Sequence, residues 1–135
     1  MPLQPNFVAN GNITPSRFVK IDTTYTQGNR IIQCTATTDL PIGISQPGSI
    51  YAAGTPAYTG NAYAAVAGDD CMVFQPTETA KLELGGTVTV GAYLQTDTSG
   101  RGVAQTSNIV SAIAMQAGIL GDIIPVYVIP TIAYP

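Results

Sequence analysis

The amino-acid sequence predicts a mainly β protein, folded as a small β-barrel or β-sandwich. Turn-forming residues punctuate the whole chain of 135 residues, because 14 Gly and 10 Pro leave intervals that are mostly too short for helices. Those intervals are enriched in Val, Ile, Thr and Tyr, the β-branched and aromatic residues that suit a pleated surface. Short strands with turn signals between them are typical of such all-β folds.

The chain divides into an arm, one domain and a tail. Residues 1–15 contain three prolines and isolated apolar residues, which predicts an extended N-terminal arm, since proline blocks helix formation. Residues 16–130 form a single β-domain in this interpretation, and a domain of this length can bury a core without disulfides or metal ions. Residues 131–135 are expected to be a short C-terminal tail.

The arm carries three candidate contact residues: Leu3, Phe7 and Val8. They are apolar but lack the alternation of a core strand. An extended segment of this kind adds to a neighbouring sheet or groove and places its apolar side chains in pockets. We therefore expect the arm to serve attachment to a partner protein or a neighbouring subunit, and the domain to close without it.

Strands are predicted by alternating or continuous apolar runs between turn signals. Gly85 and Gly86 predict a hairpin turn joining 81–84 to 87–90, and Gly91 predicts a bulge. Pro125 has no N–H for a ladder, which favours a sheet edge or a bulge at that position. Residues 108–117 fit either a helical face or a strand face. The predicted strands are 17–21, 30–37, 42–44, 71–74, 81–84, 87–90, 92–95, 103–104 and 123–129.

The stretch near 46–70 predicts a long Tyr/Gly-rich loop, with Tyr51, Tyr58 and Tyr63 spaced along it. Loops of this length inside a compact domain tend to be functional, and Tyr beside small residues gives rigid, amphipathic contact area. This pattern favours a contact with a partner protein or a neighbouring subunit. An ordinary hairpin with one Tyr face on the core is the alternative.

Charge and hydropathy exclude two kinds of partner. The net charge is −3, and the five Lys and Arg residues are spread singly, so the clustered cations that bind phosphates are missing and direct nucleic-acid binding is not expected. No apolar run reaches the length of a spanning helix, so we expect no membrane partner. The N-terminus lacks the pattern of a signal peptide, which predicts a soluble protein made in a cytoplasm.

The sequence favours a protein that is not an enzyme and holds no cofactor or metal. It has no histidine, which removes the commonest general base and metal ligand. Cys34 and Cys71 lie in apolar stretches and fit reduced, buried thiols better than a disulfide. Asp69 and Asp70 fit a solvated loop better than a calcium site, and the segment starting at Asp97 fits a tight turn better than an EF-hand.

Three blocks of the sequence, in their order and spacing, resemble the phage capsid decoration (cement) proteins. The first block comprises residues 17–20, 32–36 and 39–45. The second comprises 80–94 followed by 97–101, and the third comprises 112–117 and 121–126. Together they cover about residues 17–128. The sequence departs from the family pattern in its Tyr/Gly-rich insertion and its Pro-rich ends.

The resemblance implies a small β-barrel or tulip-like β-sandwich that sits as a homotrimer on three-fold or quasi-three-fold positions of the capsid exterior. The major capsid protein is then the partner, and assembly takes place in the host cytoplasm. The candidate capsid or intersubunit contacts are Leu3, Phe7, Val8, Tyr51, Tyr58 and Tyr63. The family has no catalytic residues to carry over. The alternative function is a virion-displayed binding module for host-surface glycans, for which Asn61 and the three loop tyrosines would supply the polar and aromatic contacts.

Overall fold

A computed structural model describes residues 7–24, 29–45, 67–68, 70–106 and 109–133 of the chain. These residues form eleven strands, and none of them lies in a helix. The described part of the chain accordingly offers no helix that could cross a membrane. The strands are β1 Phe7–Ala9, β2 Phe18–Ile21, β3 Arg30–Gln33, β4 Gly43–Ser45, β5 Asp70–Cys71, β6 Val73–Phe74, β7 Thr79–Glu83, β8 Tyr93–Thr96, β9 Gly102–Ala104, β10 Ile109–Ala114 and β11 Ile123–Ala133.

Two sheets share these strands. The first sheet has six short strands in the order β5-β1-β3-β2-β4-β6, and the second has five strands in the order β7-β11-β10-β8-β9. All neighbouring strands are antiparallel except β1 and β3, which are parallel. The mainly β prediction, a small β-barrel or β-sandwich, is confirmed.

The main core lies between the two sheets. Alternation in β7 puts Ala80 and Leu82 inside, while Thr79 and Lys81 face out, because successive side chains of a strand point to opposite faces. The inward residues of the second sheet pack with Phe18 and Ile44 of the first sheet. The buried members of this core are Phe18, Cys34, Ile44, Ala80, Leu82, Leu84, Val88, Leu94, Ala112, Ala114, Ile124, Val126 and Val128.

The first sheet also buries its other face. Val19 follows Phe18 in β2 and therefore points away from the second sheet, yet both side chains are fully buried. Val19 belongs to a second cluster together with Ala9, Ile13, Ile31, Cys71 and Val73. Both cysteines are buried and free, which confirms the interpretation as buried thiols.

A turn between β8 and β9 ties the sheets together. The Asp97 carboxylate accepts hydrogen bonds from the backbone N–H groups of Ser99 and Arg101, both at 2.8 Å. The carbonyl oxygen of Ser99 then accepts bonds from the side chains of Arg17 and Gln33, each at 2.8 Å, from the first sheet. Asp97 thus folds the tight turn that the sequence predicts, and the turn fixes one sheet relative to the other.

The predicted hairpin across Gly85 and Gly86 does not form. β7 pairs with β11 instead, and Val88 forms an isolated bridge with Gly118. Neither Gly85 nor Gly86 has the positive φ that a two-residue hairpin turn needs. A Cβ on Gly85 would come within 2.3 Å of Asp97 Oδ2, so this glycine allows a close approach of the β8–β9 turn.

Pro125 lies inside the second sheet, not at an edge or a bulge. Its strand β11 has neighbours on both sides, and Pro125 pairs with Lys81 in β7. Its carbonyl oxygen accepts the N–H of Met115, one residue beyond the end of β10. In an antiparallel pair the N and O of one residue face the same neighbour, so the missing N–H faces the end of β10 and breaks no bond to β7.

The structure differs from the predicted boundaries at both ends. Phe7–Ala9 is a strand of the first sheet, between β5 and β3, with Ala9 fully buried, and Ile13 also lies in the second cluster. The segment is extended but pairs within its own chain. Strand β1 has three residues, which is too short for the alternation that identifies a strand in a sequence. At the other end β11 continues to Ala133, beyond the boundary predicted at 130.

Candidate interaction surface

The outer face of the second sheet carries a row of apolar side chains across three strands. Ile113 in β10 is the register partner of Tyr93 in β8 and of Tyr127 in β11. Tyr93 is 41% exposed and Tyr127 is 39% exposed, while Ile113 is half-buried between them. Opposed side chains in neighbouring strands touch, so these three form one continuous strip.

The strip continues along the strands toward one end of the sheet. Met115 follows Ile113 by two positions, and Ile123 precedes Tyr127 by four, so both lie on the outer face. Met115 is 51% exposed and Ile123 is 54% exposed. We call Tyr93, Ile113, Met115, Ile123 and Tyr127 the apolar face.

Beyond the apolar face, two connecting segments form an apolar tip. Residues 84–92 and 115–122 are joined by hydrogen bonds between the backbones of Val88 and Gly118, at 2.9 and 3.1 Å. The segments expose three large apolar side chains, which we call the apolar tip: Val90, Ile119 and Leu120. Gly121 turns the chain at φ 88°, a conformation that suits glycine, and its N–H donates to Leu84.

The rim of the apolar face carries charges of both signs. Lys81, beside Pro125, is exposed and makes no ion pair within the part of the chain that the structure describes. Asp122 is exposed, and one carboxylate oxygen accepts the N–H of Ile119 at 2.9 Å. Glu83 is neutralised by Arg17, with Oε1 and Nη2 at 3.3 Å.

Lys81 and Glu83 also line an open groove at the β7 edge of the second sheet. Its other walls come from Ile123 and from the segment before β2, at Thr14, Pro15 and Ser16. The backbone N–H of Glu83 donates to Ser16 at 3.0 Å, which holds this segment against the edge strand. The groove therefore adjoins the apolar face through Ile123.

The thiols have the properties of core residues. Burial raises the pKa of Cys34 to about 12 and the pKa of Cys71 to about 11. A thiolate is the nucleophile and the metal ligand, so thiols held protonated and out of contact with water are chemically inert. Among the described residues, no three acidic, cysteine or histidine side chains come together as a candidate metal site.

Of the candidate contact residues predicted from the sequence, Phe7 and Val8 lie within the described part of the chain. Leu3, Tyr51, Tyr58 and Tyr63 lie outside the described residues, as does Asn61. Phe7 and Val8 are half-buried in β1, and Phe7 packs against the second cluster of the first sheet.

Sequence reasoning missed the apolar face, although a signal for it is present. The run 123–129 is apolar at almost every position, and alternate residues of a strand face opposite sides. A strand with one face on the core and one in water reads as alternating. The continuous run therefore predicts apolar side chains on both faces of this strand.

Comparison with known proteins gives one informative likeness. No protein-family model and no curated protein matches the chain. Among solved structures, the fold is similar to the crystal structure of the N base of the head fiber gp8.5 of bacteriophage phi29, with a TM-score of 0.59. The likeness covers 91% of this chain and 90% of that chain at 18% identity, and it shows a shared fold.

Proposed function

We propose that this chain is a phage capsid decoration protein, which binds the outer surface of an icosahedral head and stabilises the shell against internal genome pressure. The observation that carries the proposal is the likeness of nearly the whole chain to the base of a phage head fiber. The sequence blocks that resemble decoration proteins support the same role independently.

The surface of the molecule suits a structural role. Only 10% of residues are charged, against roughly 25% in average globular proteins, and large apolar side chains are concentrated on one face and one tip. Surfaces of this composition are suited to contact with other protein. We propose the major capsid protein and further copies of the chain, as a homotrimer, as the partners, and the exterior of the virion as the location.

The interior suits a protein that carries mechanical load. One cluster of buried side chains spans both sheets, and the Asp97 turn bonds them to each other. A subunit that keeps its shape can bridge neighbouring capsomers, and repetition around the shell multiplies a modest local affinity. We propose no catalytic activity, because the chain lacks histidine and both of its thiols are buried.

The test is binding to shells that lack the protein. Capsids of the phage that encodes this chain are prepared without it, in expanded and unexpanded forms, and purified protein is titrated into each. We expect saturable co-sedimentation with expanded shells at a fixed number of copies per capsomer, and a higher temperature of genome release. Cryo-electron microscopy should place the added density on the outside of the shell.

Unexpanded shells are the control, because stabilisation against packaged genome is needed only after expansion. The absence of binding to expanded shells at micromolar protein would refute the proposal. Binding to host cells or their glycans, without binding to shells, would favour the display module instead.

A further inference from the structure

The apolar face is unusual for the solvent-facing side of an antiparallel sheet. An antiparallel sheet with one face on the core usually presents polar side chains on the other. Here Tyr93, Met115, Ile123 and Tyr127 are each about 40–55% exposed, and Tyr93 and Tyr127 both neighbour Ile113 by register. With the apolar tip, seven large apolar side chains are exposed on this part of the molecule, and a concentration of this kind marks an interaction site.

The charges around the face restrict what can cover it. Its exposed rim has one cation, Lys81, and one anion, Asp122, while Glu83 is paired with Arg17. A surface that binds a strongly charged partner carries an excess of the opposite sign, and this rim has none. A rim with both signs can face a copy of itself without net repulsion. The electrostatics therefore fit a second copy of the chain.

The shape of the face fits the same occupant. Sheets pack face to face at about 10 Å with interdigitating side chains, so an apolar sheet face is best covered by another sheet face. Every copy of the chain offers such a face, and in the proposed homotrimer the three faces would meet around the three-fold axis. Two tyrosines flanking a smaller isoleucine form ridges and a groove across the strands. A standard interface takes about 800 Å² from each partner, so the contact must extend beyond the five side chains of the apolar face to the apolar tip and the polar rim.

We infer that the apolar face of the second sheet packs against a second copy of this chain. This rests on the proposed function to the extent that decoration by a homo-oligomer needs a contact between copies. It assigns that contact to Tyr93, Ile113, Met115, Ile123 and Tyr127, and leaves the first sheet and its loops outside it.

Two double variants test the inference by the mass of the protein in solution. Met115→Lys/Ile123→Lys places two charges on the apolar face, at positions about half exposed in the single chain. Leu40→Lys/Met72→Lys is the matched control, because Leu40 and Met72 are 63% and 48% exposed but belong to the first sheet and its connections. Sedimentation velocity is measured from 1 to 100 µM, with circular dichroism as the check on folding.

We expect the wild type and the control to be oligomers at 100 µM, and the face variant to be a folded monomer whose self-association is weakened at least a hundredfold. An oligomeric face variant would overturn the inference, as would dissociation of the control to the same extent. A wild type that stays monomeric both at 100 µM and when bound to shells would overturn it as well.

A measurement on the unaltered protein covers the case in which the face variant fails to fold. Met115 and Met72 are almost equally exposed in the single chain, at 51% and 48%, and oxidation by peroxide follows exposure. Oxidation of each methionine is followed by peptide mass spectrometry below and above the concentration at which copies associate. We expect Met115 to oxidise at least tenfold more slowly in the oligomer, with Met72 unchanged. Equal rates for Met115 in both states would overturn the inference.

Titration of each protein into expanded shells separates this inference from the proposed function. If the wild type oligomerises through the face but does not bind shells, the proposed function fails and the inference stands. If the wild type binds shells and the face variant binds with the same affinity and stoichiometry as an oligomer, the inference fails and the proposed function stands.

Discussion

The two sheets of this protein differ in how much of their two faces the chain itself covers. The first sheet has strands of two to four residues and buries both of its faces within the chain, with Phe18 on one side and Val19 on the other. The second sheet has strands of up to eleven residues and buries one face fully; on its other face Gln95 and Ser111 are buried, but Tyr93 and Tyr127 are exposed. The first sheet is thus covered on both faces by its own chain, whereas part of the outer face of the second sheet is exposed in the single chain.

The largest expected effect comes from removing β1, which lies inside the first sheet. Deleting residues 2–12 takes out the strand between β3 and β5 and the buried side chain of Ala9. It exposes backbone groups on both neighbours, so we expect the cooperative unfolding transition to be lost, as measured by circular dichroism and calorimetry. The sequence alone led to the opposite expectation, a folded domain with unchanged spectra. A truncated protein with a native-like transition would restore the interpretation of this segment as a separate arm.

A second prediction compares the two faces of the second sheet at adjacent positions of β11. Ile124 is 1% exposed and Ile123 is 54% exposed. Ile124→Ala leaves a cavity between the sheets and should lower the free energy of unfolding by about 2–5 kcal/mol. Ile123→Ala, the matched control, should lower it by about 0.5 kcal/mol or less when the chain is monomeric.

Equilibrium urea unfolding of the dilute protein measures both variants. Equal losses for the two would mean that the outer face is already covered within the single chain, and the contrast between the sheets would disappear.

Most strands of the two sheets could be predicted from the sequence, but their pairing could not. Strict alternation around Leu82 identified β7, and the apolar run after Asp122 identified β11. Their pairing could not be read from local pattern, because Gly85 and Gly86 looked like a hairpin turn and the true partner of β7 lies at the end of the chain. Strand pairing depends on contacts between distant residues, which local propensity does not encode.

The candidate interaction surface was harder to predict than the fold for a related reason. Tyr93, Ile113 and Tyr127 are brought into one strip by the register of three strands, and they are scattered along the sequence. Residues 108–117 fitted a helix as well as a strand. The strand alternative already grouped Ile113 with Met115, but only the sheet shows that this group faces outward.

A third prediction probes how tightly the first sheet is packed. A Cβ on Gly43 would come within 2.2 Å of the carbonyl oxygen of Phe74 in the neighbouring strand, and within 2.6 Å of Val73. Gly43→Ala forces these strands apart and should cost about 1–3 kcal/mol. Gly11→Ala is the control, since nothing lies within 4 Å of its Cβ, and it should be neutral or stabilising by about 0.4–1 kcal/mol. Thermal melting of both variants measures this difference. A neutral Gly43→Ala would show that β4 and β6 separate without cost, against the description of a tightly closed sheet.

The smallest expected effect concerns the charges, which the two sheets also treat differently. Lys20 of the first sheet donates to Asp39 at 2.8 Å, whereas Lys81 of the second sheet has no ion pair among the described residues. Burial raises the pKa of the Asp39 carboxyl, but the bonds from Lys20 and from the N–H groups of Thr35 and Ala36 outweigh it, so the pKa is lowered overall.

A carboxyl whose pKa is lowered by folding stabilises the protein above its unfolded pKa of about 3.9, and this stabilisation is lost as the pH falls through the folded pKa. Asp39→Asn should therefore lower the free energy of unfolding by about 1 kcal/mol or less at pH 7, because water screens a pair near the surface. The difference from the wild type should shrink as the pH falls below about 4 and should vanish only below the lowered folded pKa, where both side chains are neutral. Lys81→Gln is the control and should leave the stability of the single chain unchanged at both pH values. Urea unfolding at pH 7 and pH 3 measures the free energy of unfolding of each variant. If Asp39→Asn loses the same free energy at both pH values, Asp39 acts through the conformation of its loop and not through its charge.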